Sequence, residues 1–297
     1  MTKEFISAEM QRLQDRICKR VEQIDGKKTF QEDLWTRAEG GGGRTRIMRD
    51  GAIIEKGGIN FSEVFGEVTP MMKQNTEIKG NHFFATGVSI VLHPQNAHVP
   101  IIHMNVRYFE TDEGTYWFGG GIDLTPHYVS REFAKKFHLG LKKVCDNYHP
   151  EFYEKFKQWA DDYFFIPHRD ETRGVGGIFF DHQHETSEIS KEQLLHFCIE
   201  LGDTFADLYN EQVSEGKGKA MSQDEKNWMN LGRGRYVEFN LVHDRGTKFG
   251  LYSGGRTESI LMSLPNDANW EYNFIPSIGS SEAETLSLLR KGIDWLA

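Results

Sequence analysis

This chain of 297 residues has only three cysteines, Cys18, Cys145 and Cys198. They lie too far apart for CxxC, zinc-ribbon or iron–sulfur spacing, and such sparse thiols fit a reducing compartment. Long apolar runs are missing as well: the longest stretch, Phe83 to Leu92, is interrupted by Thr86, Gly87 and Ser89 and is too short to span a bilayer. The start, Met1-Thr2-Lys3-Glu4-Phe5, has neither a signal-peptide apolar core nor an acid-poor transit pattern, so cytoplasmic residence is the expectation. Basic residues are outnumbered, 35 against 44 acidic, and the net charge of -9 argues against general affinity for nucleic acid or membrane surfaces. An anionic ligand would therefore need arginines gathered locally. No GxGxxG opens a helix, and no P-loop or HExxH pattern occurs, which moves dinucleotide, phosphoryl-transfer and zincin chemistry down the order.

What is present describes an ordinary globular protein, 38% hydrophobic, 12% aromatic and 27% charged. Ile6, Met10, Leu13, Ile17, Val21 and Ile24 recur at helical steps and end at Gly26. The run Gly40-Gly41-Gly42-Gly43-Arg44 reads as flexible. Strands are predicted from Arg46 to Val68 around the hairpin signal Asp50-Gly51, then over Phe83 to Leu92, Ile101 to Phe109 and Thr115 to Phe118. Ser130 caps a helix carrying Phe133, Phe137, Leu141 and Val144, more helix follows over Glu151 to Tyr163, and Ser190 with Gln193 forms a capping box for a third. After a polar loop, Ser214 to Lys226, strands are predicted at Arg235 to His243, Gly250 to Tyr252 and Ser259 to Leu264. Ser281 and Glu284 then open a last helix with Leu286, Leu289, Ile293 and Leu296. Short connections between consecutive strands imply an antiparallel sheet, and separate blocks of strand and helix imply one α+β domain over residues 1–297.

The chemistry-bearing pattern sits in Ile102-His103-Met104-Asn105-Val106-Arg107-Tyr108. As a strand, this segment projects His103, Asn105 and Arg107 from one face at intervals of about 6.6 Å. An imidazole, an amide and a guanidinium in one row can hold a carboxylate and move a proton beside it; a half-solvated strand with a polar outer face is the plainer reading. Tyr236, Glu238, Asn240 and Asp244 share one parity of a second predicted strand, whose end carries Asp244 beside Arg245, either a functional ionised carboxylate or a structural ion pair. Gly254-Gly255-Arg256 has the composition of an anion-binding nest. Trp117-Phe118-Gly119-Gly120-Gly121-Ile122-Asp123 joins aromatic bulk to a backbone that a flat ligand can approach closely. Twelve histidines, among them His93, His98, His103 and the pair His182 and His184, invite a metal reading, although no complete ligand motif is visible.

Taken together, Val88 to Pro94, His103 to Arg107, Phe118 to Pro126, Arg233 to Asn240, Asp244 to Thr247 and Gly254 to Ser263 closely resemble the oxygen-dependent coproporphyrinogen III oxidase family. The resemblance runs in order over most of the chain. It implies a large antiparallel sheet flanked by helices on both faces, a homodimer to which Tyr236 to Glu271 contributes, and a role in haem biosynthesis. The reaction it implies is oxidative decarboxylation of two propionates of coproporphyrinogen III to vinyl groups, with O2 as co-substrate, giving protoporphyrinogen IX, carbon dioxide and hydrogen peroxide. Matched residue by residue, Ser89, Asn105, Val106, Arg107, Gly254, Gly255 and Arg256 contact substrate, His103 donates a proton, and Asp123, Asp244 and Arg245 complete the catalytic set. Some bacterial members have been assigned a metal through histidines matching His93, His103, His138 and His168, all present here; a site without metal or organic cofactor is favoured. The competing readings are a histidine-metal hydrolase or oxygenase using those four residues, and a tetrapyrrole carrier without catalysis. The oxygen-independent enzyme for the same step is disfavoured, since three dispersed cysteines cannot supply its iron–sulfur site.

Overall fold

The computed structural model describes residues 1–69, 72, 78–252 and 255–297. Helix α1 (Lys3–Asp25) is capped by Thr2 and stopped by Gly26 in the left-handed conformation, as the sequence predicts. Seven strands then build one antiparallel sheet in the order β1 (Gln31–Thr36), β2 (Gly41–Arg49), β3 (Ile54–Glu67), β4 (His82–Pro94), β5 (Ile101–Thr111), β6 (Tyr116–Thr125) and β9 (Gly177–Gln183). A separate two-stranded ribbon joins β7 (Phe165–Ile166) to β8 (Glu171–Thr172). Helices cover both faces. Against one lie α1, α2 (Arg131–Asp146), α3 (Phe152–Tyr163) and α4 (Lys191–Gly216). Over the other lie the end of α5 (Gln223–Glu238), a π-helix (Phe239–His243), α6 (Arg245–Tyr252) and the short α7 (Thr257–Leu261). The last helix is α8 (Ser281–Leu288).

Strand periodicity sorts the two faces. On β5, Ile102, Met104, Val106 and Tyr108 are fully buried in a core shared with Met10, Leu13, Phe137, Phe156, Phe197 and Leu201, while the alternate residues turn to the opposite face. Burying each such aliphatic side chain stabilises the fold by roughly 1.5–3 kcal/mol before chain entropy is counted.

Several local expectations are corrected. The glycine run is ordered: Gly41, Gly42 and Gly43 pair within β2, and the ring of Trp35 occupies the space a side chain at Gly43 would need. Arg235 to His243 is helical, because the Ser222 and Glu225 capping box starts α5 and Met229, Arg233, Tyr236 and Asn240 form a buried stripe at three- and four-residue steps. A two-residue alternation over Val237, Phe239 and Leu241 mimics a strand there. Gly250 to Tyr252 belongs to α6, and Ser259 to Leu261 to α7. The polar loop is shorter than predicted, since α4 runs to Gly216 and α5 begins at Gln223. The final helix is capped by Ser280 and stops at Leu288; Gly292, at φ 74°, turns the chain away from a helical path before Ile293 and Leu296. β1 and β9 were not expected.

Candidate active site

The non-core sheet face is organised in rows by strand register. Asn60, Ser89, Asn105 and Gly121 lie side by side on β3 to β6, with Phe179 of β9 beyond. The next row is Ser62, Gly87, Arg107 and Gly119, and on the other side lie Gly58, Val91, His103 and Asp123. With strands spaced by about 4.8 Å, the row from Asn60 to Phe179 spans about 19 Å. Its middle is a floor of small groups, with Ser89 exposed and Asn105 and Arg107 half-buried. Two covers bound this floor. Over β2 and β3 sits α7, held by Ser259 Oγ 2.8 Å from Thr45 Oγ1 and by Asn60 Nδ2 donating to the Ser259 carbonyl at 2.8 Å. At the β9 end, Tyr163 stacks on Phe179 at 3.9 Å between ring centroids.

Arg107 is the cation of the floor. Its Nη2 pairs with Asp181 Oδ2 at 2.8 Å and its Nη1 donates to Asn105 Oδ1 at 3.0 Å, yet 38% of the side chain stays accessible. The strand between Arg107 and Asp181 contributes Gly119, where a Cβ would stand 2.5 Å from Asp181 Oδ1 and 3.0 Å from Arg107 Nε. The absence of a side chain there lets the guanidinium reach across β6.

Beside the floor lies a closed network. Asp123 is 1% exposed, and its Oδ1 accepts from His103 Nδ1 at 2.8 Å and from Arg173 Nη2 at 2.6 Å, its Oδ2 from Arg173 Nε at 3.1 Å. Burial by itself raises the pKa of a carboxyl, but the Arg173 charge and the bond from His103 overcome it and hold Asp123 below its ordinary value. An ionised carboxylate only accepts, so Nδ1 of His103 carries the proton shared with Asp123, and Nε2 has no hydrogen-bond partner among the described residues. Both oxygens of Asp123 are turned to protein donors.

Asp244 belongs to a different network. Its Oδ1 accepts from the Tyr163 hydroxyl at 2.8 Å and its Oδ2 from the Thr247 N–H at 2.6 Å, capping α6, while Arg245 is exposed with its guanidinium 5.8 Å from the Tyr163 ring centroid. Through Tyr163 and Phe179 this pair borders the floor. Arg256 precedes α7 and binds Asp33 and Ser259 Oγ, so its charge is partly engaged by β1. The nest expectation is not met at Gly255, whose N–H donates to the Gly250 carbonyl at 2.8 Å, and Gly254 lies outside the described residues. Val106 is placed on the core face, fully buried, apart from the residues it was grouped with.

The four candidate metal histidines do not converge. His93 donates from Nε2 to the Ser263 carbonyl at 2.8 Å, and burial drops its pKa to about 3. His138 bonds the Val175 carbonyl and the Tyr153 hydroxyl, each at 3.0 Å, with its pKa lowered to about 4 by burial. His168 lies against His243 and Glu238 at 3.0 and 2.8 Å. Among the described residues no three histidine, cysteine or carboxylate side chains are gathered as metal ligands.

Sequence reasoning missed Arg173, Tyr163 and Asp181. Arg173 follows the two-residue strand β8 in a glycine-rich turn that carries no spacing signal, and Asp181 lies within the unrecognised strand β9, just after its apolar run Ile178 to Phe180.

Comparison with known proteins agrees with this architecture. A family model described as coproporphyrinogen III oxidase matches residues 5–295. A protein of Parasynechococcus marenigrum (strain WH8102) named oxygen-dependent coproporphyrinogen-III oxidase is 46% identical over 308 residues, covering 96% of this chain and 85% of its own. One of the same name from Prochlorococcus marinus is 46% identical over 307 residues, covering 95% and 89%. The rows of the sheet face, the His103 and Asp123 pair and these matches along nearly the whole length lead to one conclusion: the chain belongs to the coproporphyrinogen III oxidase family.

Proposed function

We propose that the floor between α7 and Tyr163 receives coproporphyrinogen III and that His103, Asn105 and Arg107 act on its propionates. The activity is that of an oxygen-dependent coproporphyrinogen III oxidase: two propionates become vinyl groups and protoporphyrinogen IX is formed. In each cycle one propionate and O2 take up one proton and yield a vinyl group, carbon dioxide and hydrogen peroxide. The C–C bond to the carboxylate breaks, a hydride equivalent leaves the chain, and its electron pair reduces O2. A proton donor is therefore required beside a carboxylate anchor, and the row from His103 to Arg107 is the observation that carries the reading. Arg107, Ser89 and Asn105 anchor the propionate; His103, doubly protonated as an imidazolium that the Asp123 carboxylate stabilises, gives its Nε2 proton to the peroxide and keeps the one on Nδ1. Arg245 and Arg256 at the two covers steer the remaining carboxylates, and the Asp244 carboxylate orients the ring by accepting from its pyrrole N–H groups.

No resident metal or organic cofactor is proposed, because His93, His103, His138 and His168 each have hydrogen-bond partners in separate places. Metal analysis after chelation, paired with activity, tests that. A homodimer is proposed from the apolar surface of Leu241, Val242, Phe249, Leu251 and Tyr252, which are 38–76% exposed, and sedimentation equilibrium tests it. Cytoplasmic residence is proposed from three free, buried cysteines; no helix among the described residues is long and apolar enough to cross a membrane. The activity itself is tested by giving the purified chain coproporphyrinogen III with and without air. Carbon dioxide and vinyl product appear only with O2; binding without turnover in air would instead identify a carrier.

A further inference from the structure

Behind His103, the side chain of Arg173 is 2% exposed and every nitrogen of its guanidinium is committed. Nε and Nη2 grip both oxygens of Asp123, and Nη1 donates to Asn240 Oδ1 at 2.8 Å. The rings of Phe164, Tyr236 and Phe239 surround it, each centroid 4.6 Å from Cζ. These anchors come from the end of α3, α5, the π-helix and β6. A buried ion pair is weak evidence for stability, since well-packed apolar groups of equal volume often serve as well. The arrangement is therefore better explained by what it does to its neighbour. His103 Nδ1 lies 2.8 Å from Asp123 Oδ1 but 3.4 Å from Arg173 Nη2. The first contact fixes a proton on Nδ1, the second would require a bare Nδ1, and the shorter, charge-assisted bond prevails while Asp123 stays ionised.

We propose that Arg173 is a positioning residue for the decarboxylation. By clamping Asp123 at both oxygens it keeps the His103 Nδ1–H on Asp123 and the ring in one orientation, so that only Nε2, which carries the second proton of the imidazolium, meets the reacting group. This rests on the proposed reaction, in which His103 is the proton donor. Arg173 itself touches no substrate; its two nearest ionic neighbours are Asp123 and His103.

The test compares the unaltered chain with Arg173→Gln and Arg173→Lys. For Arg173→Gln, kcat falls by about 10²-fold or more, as when the orienting carboxylate of a catalytic histidine is disabled, while affinity for coproporphyrinogen III stays within about threefold. Nitrogen NMR of His103 in its neutral form, before it takes up the proton it donates, shows one Nδ1–H tautomer in the unaltered chain and a mixture in the variant. Arg173→Lys restores the charge without the fork and recovers only part of the loss. The proposal is overturned if kcat holds within threefold, if affinity falls as far as kcat, or if the tautomer is unchanged. Should Arg173→Gln not fold, Arg173→Lys carries the same three readings. If the unaltered chain gives no turnover, the proposed reaction fails, and the tautomer reading still decides the positioning.

Discussion

The two ends of the polar sheet face are built oppositely. Around Asp123 and Arg173 the side chains are 1–2% exposed and their charges are matched within the protein, whereas around Ser89 and Arg107 the groups are reachable and Arg107 keeps 38% of its side chain open. The closed end fixes geometry; the open end retains capacity to bind. Because both ends hang on the same strands, a ligand anchored at Arg107 is held at a set distance from His103, two residues or about 6.6 Å per step along β5.

The sharpest way to break this contrast is His103→Ala. It lowers kcat by about 10²- to 10⁴-fold with little change in affinity, measured by steady-state turnover and by fluorescence titration; an equal loss in both would move His103 to the binding end. Next comes Arg107→Ala, for which affinity falls by about 10- to 100-fold, the range of a charge-assisted hydrogen bond of roughly 1.5–3 kcal/mol, and kcat changes less. Unchanged affinity would remove Arg107 from the anchor. Val106→Ala, on the opposite face of the same strand, destabilises the fold by about 2 kcal/mol in urea unfolding and leaves turnover per folded molecule intact, because its side chain lies in the core.

A pH series separates buried imidazoles from open ones. His138 and His93 have folded pKa values of about 4 and about 3 against an ordinary 6.5, both lowered first by burial. The unfolded chain then binds more protons, so the stability they confer is complete above pH 6.5 and declines as pH falls toward 4. The slope reaches about 1.4 kcal/mol per pH unit for each residue in that window. Urea unfolding at pH 7, 6 and 5 reads it, and a flat profile would show these rings to be solvated. Ser89→Ala has the smallest effect expected, a two- to tenfold loss of affinity for one neutral hydrogen bond of about 0.5–1.5 kcal/mol, with the fold undisturbed at its exposed position.

How far the sequence carried the structure depended on whether a residue's role was local. The row of His103, Asn105 and Arg107 was legible because strand parity is local, and α1 and α4 were legible from caps and apolar stripes. Asp123 was found by its place after three glycines, but its orientation was not, because that depends on Arg173 fifty residues later. Tyr236 and Asn240 were noticed for the wrong reason: the alternation that suggested a strand competes with a helical stripe in the same residues, and only the capping box at Ser222 and Glu225 distinguishes the two. The resemblance to a family supplied roles for Asp244 and Arg256, while the contacts with Tyr163 and Asp33 that hold them lie 81 and 223 residues away and leave no trace in spacing.

The π-helix at Phe239–His243 makes the site sensitive to length as well as to composition. One residue removed from that wide turn would let the α5 ladder run on, and an α-helix rotates by about 100° per residue. Everything downstream would swing round, with Asn240 leaving Arg173 and Asp244 leaving Tyr163. A deletion could thus disable the molecule while every named chemical group is still encoded.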